Sequence, residues 1–163
     1  MRIIDVEASD ESLVKAIAAM LVDGFRQNAP EAYPNLATAI AEVRESFAPD
    51  RISRVALDDQ GMAVGWIGAI KHYNGHTWEL HPLVVKLDQQ RRGIGRALVR
   101  DLEQRVVALG GSTIYLGSDD EQSQTSVAES TCIRTSGSTF ETSGTFATIP
   151  TSSIKNSDSS SLE

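Results

Sequence analysis

A basic, glycine-containing segment near the middle of the chain has the residue types of an anion-binding turn: Gln90-Arg91-Arg92-Gly93-Ile94-Gly95-Arg96. It follows an apolar, β-favouring run, Leu80–Val85, and it precedes apolar residues at helical spacing, Leu98, Leu102 and Val106. A strand, a turn and a helix in this order place unpaired backbone N–H groups and the positive end of a helix dipole at one point. Glycine lets the backbone approach an anion closely, and arginine adds positive charge. The segment therefore predicts a phosphate-binding site.

Two titratable residues, Glu79 and His81, lie two positions apart in the run that leads to this turn. Residues at positions i and i+2 of a strand point to the same face, so the carboxylate and the imidazole would be neighbours. Such a pair can accept a proton from a substrate or hold a cationic group. On the residues alone, a solvent-facing glutamate and a packed histidine are the simpler interpretation.

Two common nucleotide-binding motifs are excluded by the residues around the turn. A P-loop has the pattern GxxxxGK[ST], but Gly95 is followed by Arg96 and Ala97. A dinucleotide-binding fingerprint has the pattern GxGxxG, and Leu98 stands where its third glycine would be. The three histidines of the chain lack the spacing of metal ligands, so no metal site is predicted.

The segment Gln90–Gly95 resembles the Q/R-x-x-G-x-G/A pyrophosphate loop of the GCN5-related N-acetyltransferase (GNAT) superfamily, whose members bind acetyl-coenzyme A. Three flanking segments look like one branch of that superfamily, the aminoglycoside 6′-N-acetyltransferases: GWIGAI at Gly65–Ile70, WELHPLVV at Trp78–Val85 and GGSTIYLGSDD at Gly110–Asp120. The WELHPLVV string is much more specific than the loop. The resemblance covers Arg51–Ser126 closely and residues 1–50 loosely.

This resemblance implies the acetyl-CoA-dependent transfer of an acetyl group to a primary amine, most closely the 6′-amine of an aminoglycoside, as in antibiotic resistance. The loop Gln90–Arg96 would hold the pyrophosphate of coenzyme A. A splayed strand would offer its backbone to the pantetheine and the thioester at Leu83, Val84 and Val85. The N–H of Leu83 would stabilise the carbonyl oxygen as charge develops on it. Glu79 would accept the proton of the amine or anchor a cationic substrate, and His81 would assist.

Three further residues are candidate substrate contacts by the same resemblance. A helical pair walls the acceptor cleft in the family, so Tyr33, in the loop between the first two helices, could touch the substrate or only pack. Asp119 and Asp120 follow a strand that ends at Gly117, where carboxylates would suit a polyamine sugar; a solvated acidic loop is an equally good interpretation. The family also supplies a tyrosine next to the thiolate. No residue matches it here, because Tyr115 lies on an earlier strand.

Two helices that wall this site are predicted in the first fifty residues. Ser9 or Asp10 can cap the first, whose apolar stripe comprises Leu13, Ile17, Met20, Leu21 and Phe25. Asn35 can cap the second, residues 36–47, whose apolar side comprises Leu36, Ile40 and Val43. The stripe of the first helix is expected to pack into the core.

Strands and one further helix are predicted in the following part of the chain. Strands at residues 51–57, 62–71 and 77–85 form an antiparallel meander joined by turns rich in Asp, Asn and Gly. A helix at residues 93–108 ends at a glycine pair and crosses over to a strand parallel to the third of these. With an initial strand at residues 1–6, the fold class is α/β (α+β): the GNAT fold, a mixed, mostly antiparallel central sheet flanked by helices.

Length and composition are those of a single acidic globular domain. The chain has 163 residues and a formal net charge of −7, which suits one core. An acidic chain disfavours nucleic acid as a partner and attracts small polycationic ligands. No apolar run is long enough to span a bilayer, and the N-terminus lacks a signal-peptide pattern. The single cysteine, Cys132, forms no disulfide framework, so a cytoplasmic protein is expected.

The last part of the chain departs from this pattern. From Ala128 to Glu163 nearly half of the residues are Ser or Thr, and the helical periodicity disappears. A flexible or O-glycosylated tail is the simplest account, but the segment lacks the proline and charge typical of disorder. We therefore divide the chain into a GNAT acetyltransferase domain, residues 1–126, and a Ser/Thr-rich aberrant tail, residues 127–163.

A shifted reading frame explains the tail better. The permitted codons GAG TCG ACC TGT ATC CGG for Glu129–Arg134 encode Val-Asp-Leu-Tyr-Pro when reading starts two bases later. The same offset permits the string HPYEFYQKLGFVI within Phe140–Ser161. Both strings resemble what the family carries at this place. We infer a frame change near Val127, with Leu162-Glu163 as a cloning scar.

Such a change would replace a helix and two strands that complete the coenzyme cleft in the family, so the C-terminal elements are expected to be aberrant or missing. Two alternatives to the leading function therefore stay open. One is a GNAT acting on another small amine or a protein amine; the other is a catalytically silent acyl-CoA-binding protein. The resembled enzymes are commonly homodimers, but the replaced part could contribute to that interface, so the oligomeric state stays open.

Overall fold

The computed structural model describes residues 1–116 and, for the backbone alone, residues 131–134 and 147–148. Two 3₁₀ turns lie at Tyr73–Gly75 and Leu87–Gln89. In chain order the elements are β1 (Arg2–Asp5), α1 (Glu11–Phe25), α2 (Leu36–Glu45), β2 (Arg51–Leu57), β3 (Ala63–His72), β4 (Thr77–Val85), α3 (Ile94–Ala108), β5 (Thr113–Leu116), β6 (Thr131–Arg134) and β7 (Ala147–Thr148).

The strands form one sheet in the order β1-β2-β3-β4-β5-β6-β7. Neighbouring strands are antiparallel except for β4 with β5 and β6 with β7, which are parallel. The crossover through α3 makes β5 parallel to β4, since a strand reached through a helix on one face returns in the same direction. The predicted mixed, mostly antiparallel sheet flanked by helices is therefore confirmed.

Side-chain caps begin the first two helices where the sequence predicts them. Asp10 Oδ1 accepts a hydrogen bond from the N–H of Leu13 at 2.9 Å, and Asn35 Oδ1 accepts one from the N–H of Thr38 at 3.0 Å. Helix α2 ends at Glu45, two residues earlier than predicted. On the predicted apolar side of α2, Val43 is buried and Ile40 packs against the core, whereas Leu36, in the first turn, is exposed.

Two apolar cores lie on opposite faces of the sheet. On one face, α1 and α2 pack over Val55, Trp66 and Val84. On the other face, the apolar side of α3 packs over strand residues that include Ile67 and Leu80. We call the first of these the α1/α2 face and the second the α3 face.

A buried arginine links α3 to the sheet through ion pairs. Arg54 of β2 is almost fully buried, and it pairs with Asp101 of α3 at 2.7 Å and with Asp5 of β1 at 2.8 Å. Burial by itself lowers the pKa of the guanidinium, but hydrogen bonds and charge from Asp101 and Asp5 outweigh it, so the pKa is raised. This link fixes the helix whose N-terminus carries the basic turn.

Two short strands of the C-terminal part, β6 and β7, extend the sheet beyond β5. Residues 117–130 and most of the remaining tail lie outside the described residues. The division into a domain of residues 1–126 and a tail of residues 127–163 stays a prediction.

Candidate active site

The basic turn between β4 and α3 bends through two residues with left-handed backbone conformation. Arg91 has φ 63° and Gly93 has φ 82°. Such a conformation aims successive backbone N–H groups at a common point and so forms a concave anion site. It is costly for a residue with a β-carbon such as Arg91, and strain of this kind is concentrated at functional sites. All residues from Gln90 to Gly93 are exposed.

The N-terminus of α3 has no side-chain cap. Gly93 is the N-cap residue, and no side chain accepts a hydrogen bond from the first turn. The polar side chains nearby are engaged elsewhere: Arg92 donates to Oε1 of Gln89, and Gln90 donates to the carbonyl oxygen of Val85. Within the described part of the chain, the N–H groups at the start of α3, which include those of Ile94, Gly95 and Arg96, are therefore open to an anion.

The outer edge of β4 continues this row of donors. Lys86 donates its N–H to the carbonyl oxygen of Val64 on β3, at 3.0 Å. Because N–H groups alternate sides along a strand, those of Leu83 and Val85 point away from β3. Between residues 1 and 116, β5 pairs with β4 only over Thr77–Leu80, so these two N–H groups have no strand partner there. The geometry expected of a splayed strand is present at Leu83 and Val85.

A bulge separates the donor part of β4 from the part that carries Glu79. The register between β3 and β4 shifts at this point, so that His81 and Pro82 stand opposite Gly68 alone. As a result, Leu80 and Leu83 both pack on the α3 face, although residues three apart on a regular strand point to opposite faces. Val84 packs into the α1/α2 core instead.

Glu79, on the α1/α2 face, contacts two side chains from neighbouring strands. Its Oε2 lies 3.0 Å from Nε2 of His72, and it accepts a hydrogen bond from the hydroxyl of Tyr115 at 3.1 Å. Burial first, and then this hydrogen bond and the charge of Glu79, raise the pKa of Tyr115 to about 12. Tyr115 therefore keeps its proton at neutral pH and acts as a donor. The carboxylate is partly exposed, so a ligand can reach it.

His81 lies on the same face and meets a second carboxylate. Its Nε2 is 4.0 Å from Oε1 of Glu42 on α2, which is too long for a hydrogen bond. Oε1 of Glu42 is buried, lies 3.9 Å from Arg51, and has no hydrogen-bond partner among the described residues. The α1/α2 face thus carries two carboxylates, Glu42 and Glu79, which suits a cationic ligand.

The remaining candidate substrate contacts fall in different places. The ring of Tyr33 is buried edge-on against Phe25, with ring centroids 5.0 Å apart. Burial, and then the charge of Glu42, raise the pKa of its hydroxyl. The ring of Tyr33 therefore packs in the core, and its hydroxyl lies within the electrostatic influence of the Glu42 carboxylate. Asp119 and Asp120 lie outside the described residues.

His72 and Glu42 are not among the site residues predicted from the sequence. For His72 a signal existed: it pairs with Thr77 across the β3–β4 hairpin, which makes Glu79 its diagonal neighbour on one face. Pairing the two strands across the predicted turn would therefore have placed His72 next to Glu79. For Glu42 no signal existed, because its position over the sheet depends on how α2 packs.

A mixed sheet with a row of free strand-edge donors leading into an uncapped, basic helix N-terminus defines a class of proteins. This is the class of α/β proteins with an anion-binding helix N-terminus beside an open strand edge. The model of the acetyltransferase (GNAT) family matches residues 15–128, and the chain belongs to this family.

Three of the solved structures similar to this chain are aminoglycoside 6′-acetyltransferases. An aminoglycoside 6′-N-acetyltransferase in complex with coenzyme A has 39% identity and a TM-score of 0.63, over 72% of this chain and 62% of that one. An aminoglycoside 6′-acetyltransferase type Ii has 39% identity and a TM-score of 0.65, over 74% and 73%. The aminoglycoside 6′-N-acetyltransferase from Enterococcus faecium has 35% identity and a TM-score of 0.61, over 71% and 61%. The chain thus spans less than two thirds of the first of these proteins.

A comparison with curated proteins found no match. Among the described residues, no helix combines the length and the apolar character needed to cross a membrane. The same residues contain no group of three or more His, Cys, Asp or Glu side chains arranged to hold a metal ion.

Proposed function

We propose that this chain is an acetyl-CoA-dependent N-acetyltransferase that modifies a primary amine, namely the 6′-amine of an aminoglycoside. One observation carries the proposal: unpaired backbone donors run from Leu83 and Val85 to the first turn of α3, and Glu79 lies four residues before Leu83 on the same strand. The similarity to a protein solved with coenzyme A supports the same assignment.

The donor set of the basic turn fits the diphosphate of coenzyme A. Backbone N–H groups and arginine side chains bind phosphate oxygens, and the left-handed residues Arg91 and Gly93 turn the backbone toward one point. The residues that would hold the diphosphate are Gln90, Arg91, Arg92, Gly93, Ile94, Gly95 and Arg96. The backbone of Leu83, Val84 and Val85 would hold the pantetheine.

Bound acetyl-CoA would supply an activated acetyl group, and the chain's own residues would prepare the amine. The N–H of Leu83 would donate to the thioester oxygen, and losing one such donor costs about 3–4 kcal/mol of barrier in enzymes. Glu79 would accept the proton of the amine directly or through a water molecule, because an ammonium cannot attack a carbonyl carbon. His81 would assist from the same face.

Charge supports a polycationic acceptor. The chain has a formal net charge of −7, and Glu42 and Glu79 share the face on which the amine would bind. Asp119 and Asp120 would add negative charge at the edge of the acceptor site. The hydroxyl of Tyr33 would contact the substrate beside Glu42. The neighbouring structures at 35–39% identity are named for aminoglycosides.

A silent acyl-CoA-binding protein is the competing function, and the composition of the tail favours it. The tail is rich in Ser and Thr where the resembled family has a helix and two strands. Such a protein would bind acetyl-CoA through the turn and α3 without turnover.

Calorimetry followed by a thiol-release assay distinguishes these functions. Acetyl-CoA should bind, and coenzyme A should be released with neomycin, which has a 6′-amine, but far more slowly with paromomycin, its 6′-hydroxyl counterpart. Equal rates with both compounds would show that the 6′-position is not the target. Binding without turnover of any amine would identify the silent protein.

A further inference from the structure

The structure assigns a positioning role to His72 and Tyr115: together they hold one oxygen of Glu79, so that the other oxygen takes the proton of the amine. This inference rests on the proposed function, because it concerns the carboxylate that would act as the base. It adds two residues, His72 and Tyr115, to the site residues predicted from the sequence.

Both contacts end on the same atom. His72 Nε2 lies 3.0 Å from Oε2 of Glu79, and the Tyr115 hydroxyl lies 3.1 Å from that oxygen. An ionised carboxylate only accepts hydrogen bonds, so the imidazole N–H and the phenol O–H are both donors. Oε1 accepts no hydrogen bond from the described residues, and the side chain is partly exposed. Oε1 is therefore the oxygen that an incoming amine can reach.

The two donors come from opposite sides of β4. His72 ends β3 and Tyr115 belongs to β5, which pair with β4 on its two edges. Two donors from different strands fix the carboxylate against rotation more firmly than either one alone. Tyr115 holds its proton at neutral pH, so this donor is constant. The groups that surround the His72 ring are Glu79 and the rings of Tyr73 and Tyr115, at 6.1 and 6.0 Å.

The proton transfer that this geometry supports involves only the substrate ammonium and Glu79. An N–H bond of the substrate ammonium breaks, and an O–H bond forms at Oε1 of Glu79. The positive charge of the ammonium and the negative charge of the carboxylate disappear together, which leaves a neutral amine and a neutral carboxylic acid. The hydrogen bonds at Oε2 keep Oε1 aimed at the amine.

Four variants test this role by kinetics: His72→Phe, Tyr115→Phe, the double variant and His72→Gln. Each single Phe variant should lower kcat about tenfold, since a hydrogen bond to a charged group is lost, while the Kd of acetyl-CoA is unchanged. The double variant should lose much less than the product of the two effects, because both act on one carboxylate. His72→Gln keeps an N–H donor and should restore most of kcat.

His76→Phe is the matched control, because His76 is an exposed histidine of the same hairpin turn whose side chain touches none of these groups. Its kcat should equal that of the wild type. A normal kcat in His72→Phe, equal losses in His72→Gln and His72→Phe, or a change in KM alone would each overturn the positioning role.

A second measurement is independent of turnover. The ring ¹⁵N shifts of His72 should change in Glu79→Gln and stay unchanged in Glu103→Gln, an acidic residue of α3 on the other face of the sheet. Unchanged shifts in Glu79→Gln would overturn the inference even if the protein is active. If the shifts change in Glu79→Gln but the wild-type protein acetylates no amine, the proposed function is contradicted, while the contact between His72 and Glu79 is established.

Discussion

Gly68 and His81 lie so close across β3 and β4 that a β-carbon at Gly68 would approach the carbonyl oxygen of His81 to 2.4 Å. Real β-carbons do not come this near to an oxygen, so the position excludes every other residue without a backbone shift. The contact occurs at the bulge that changes the register between the two strands. Gly68 therefore permits the bulge that turns the N–H of Leu83 to the open edge.

Gly68→Ala should lower both stability and activity. The obstacle is a backbone atom that no rotamer change can remove, so we expect a loss of about 1–3 kcal/mol in the free energy of unfolding. Urea denaturation measures this, and kcat should fall as Leu83 is displaced. Gly95→Ala is the control, because its β-carbon would meet Val85 and Leu83 at ordinary distances of 3.7 and 3.9 Å. Unchanged stability in Gly68→Ala would show that the bulge relaxes freely.

The two glycines of the basic turn should respond differently to alanine. Gly93 has φ 82°, so Gly93→Ala should cost about 1–2 kcal/mol of backbone strain and weaken acetyl-CoA binding. Gly95 lies in α3 with ordinary φ, so Gly95→Ala should raise stability by up to about 1 kcal/mol and retain binding. Thermal denaturation and calorimetry of both variants test this contrast. Equal changes in stability and binding in the two variants would show that the left-handed backbone at Gly93 is not required.

Charge at the turn should control acetyl-CoA affinity. The double variant Arg91→Gln, Arg92→Gln should raise the Kd about tenfold or more, because charge-assisted contacts to phosphate are lost. The affinity of the wild type should also fall with added salt more steeply than that of the double variant. Arg100→Gln changes an exposed arginine further along α3 and should leave the Kd unaltered. A similar loss in this control would indicate a general charge effect.

Glu79→Gln should reduce turnover without affecting cofactor binding. Removing a general base lowers kcat by about 10²–10⁴-fold, whereas the turn that would hold acetyl-CoA is untouched. Steady-state kinetics and calorimetry measure the two quantities, with Glu103→Gln as the control. A raised KM with normal kcat would show that Glu79 anchors the cationic substrate and does not accept its proton.

The coding DNA tests the origin of the tail. The frame two bases later should encode Val-Asp-Leu-Tyr-Pro from the codons of Glu129–Arg134, and then HPYEFYQKLGFVI further on. Stop codons or unrelated sequence in that frame would refute the frame change. If the frame is as expected, the restored protein should gain activity, since it would regain a helix and two strands of the family.

Features set by neighbouring residues could be predicted from the sequence. Asp10 and Asn35 cap helices because their side chains reach N–H groups three residues away. The basic turn could be identified because glycines and arginines stand between a strand pattern and a helix pattern. The parallel pairing of β4 and β5 followed from the helix between them.

Features that depend on contacts between distant residues required the structure. Tyr115 reaches Glu79 from 36 positions away, and only the register of β5 against β4 brings them together. Glu42 reaches His81 because α2 crosses that face, and the apolar pattern of α2 does not encode this position.

The sequence by itself determined the elements, the caps and the basic turn, because those depend on the conformational preferences of a few adjacent residues. Only the tertiary structure decided which oxygen of Glu79 is held and which second carboxylate shares its face. The physical reason is that strand register and helix placement are fixed by packing of the whole core. A change in either would separate Glu79 from its hydrogen-bond donors, or Glu42 from His81, by several ångströms.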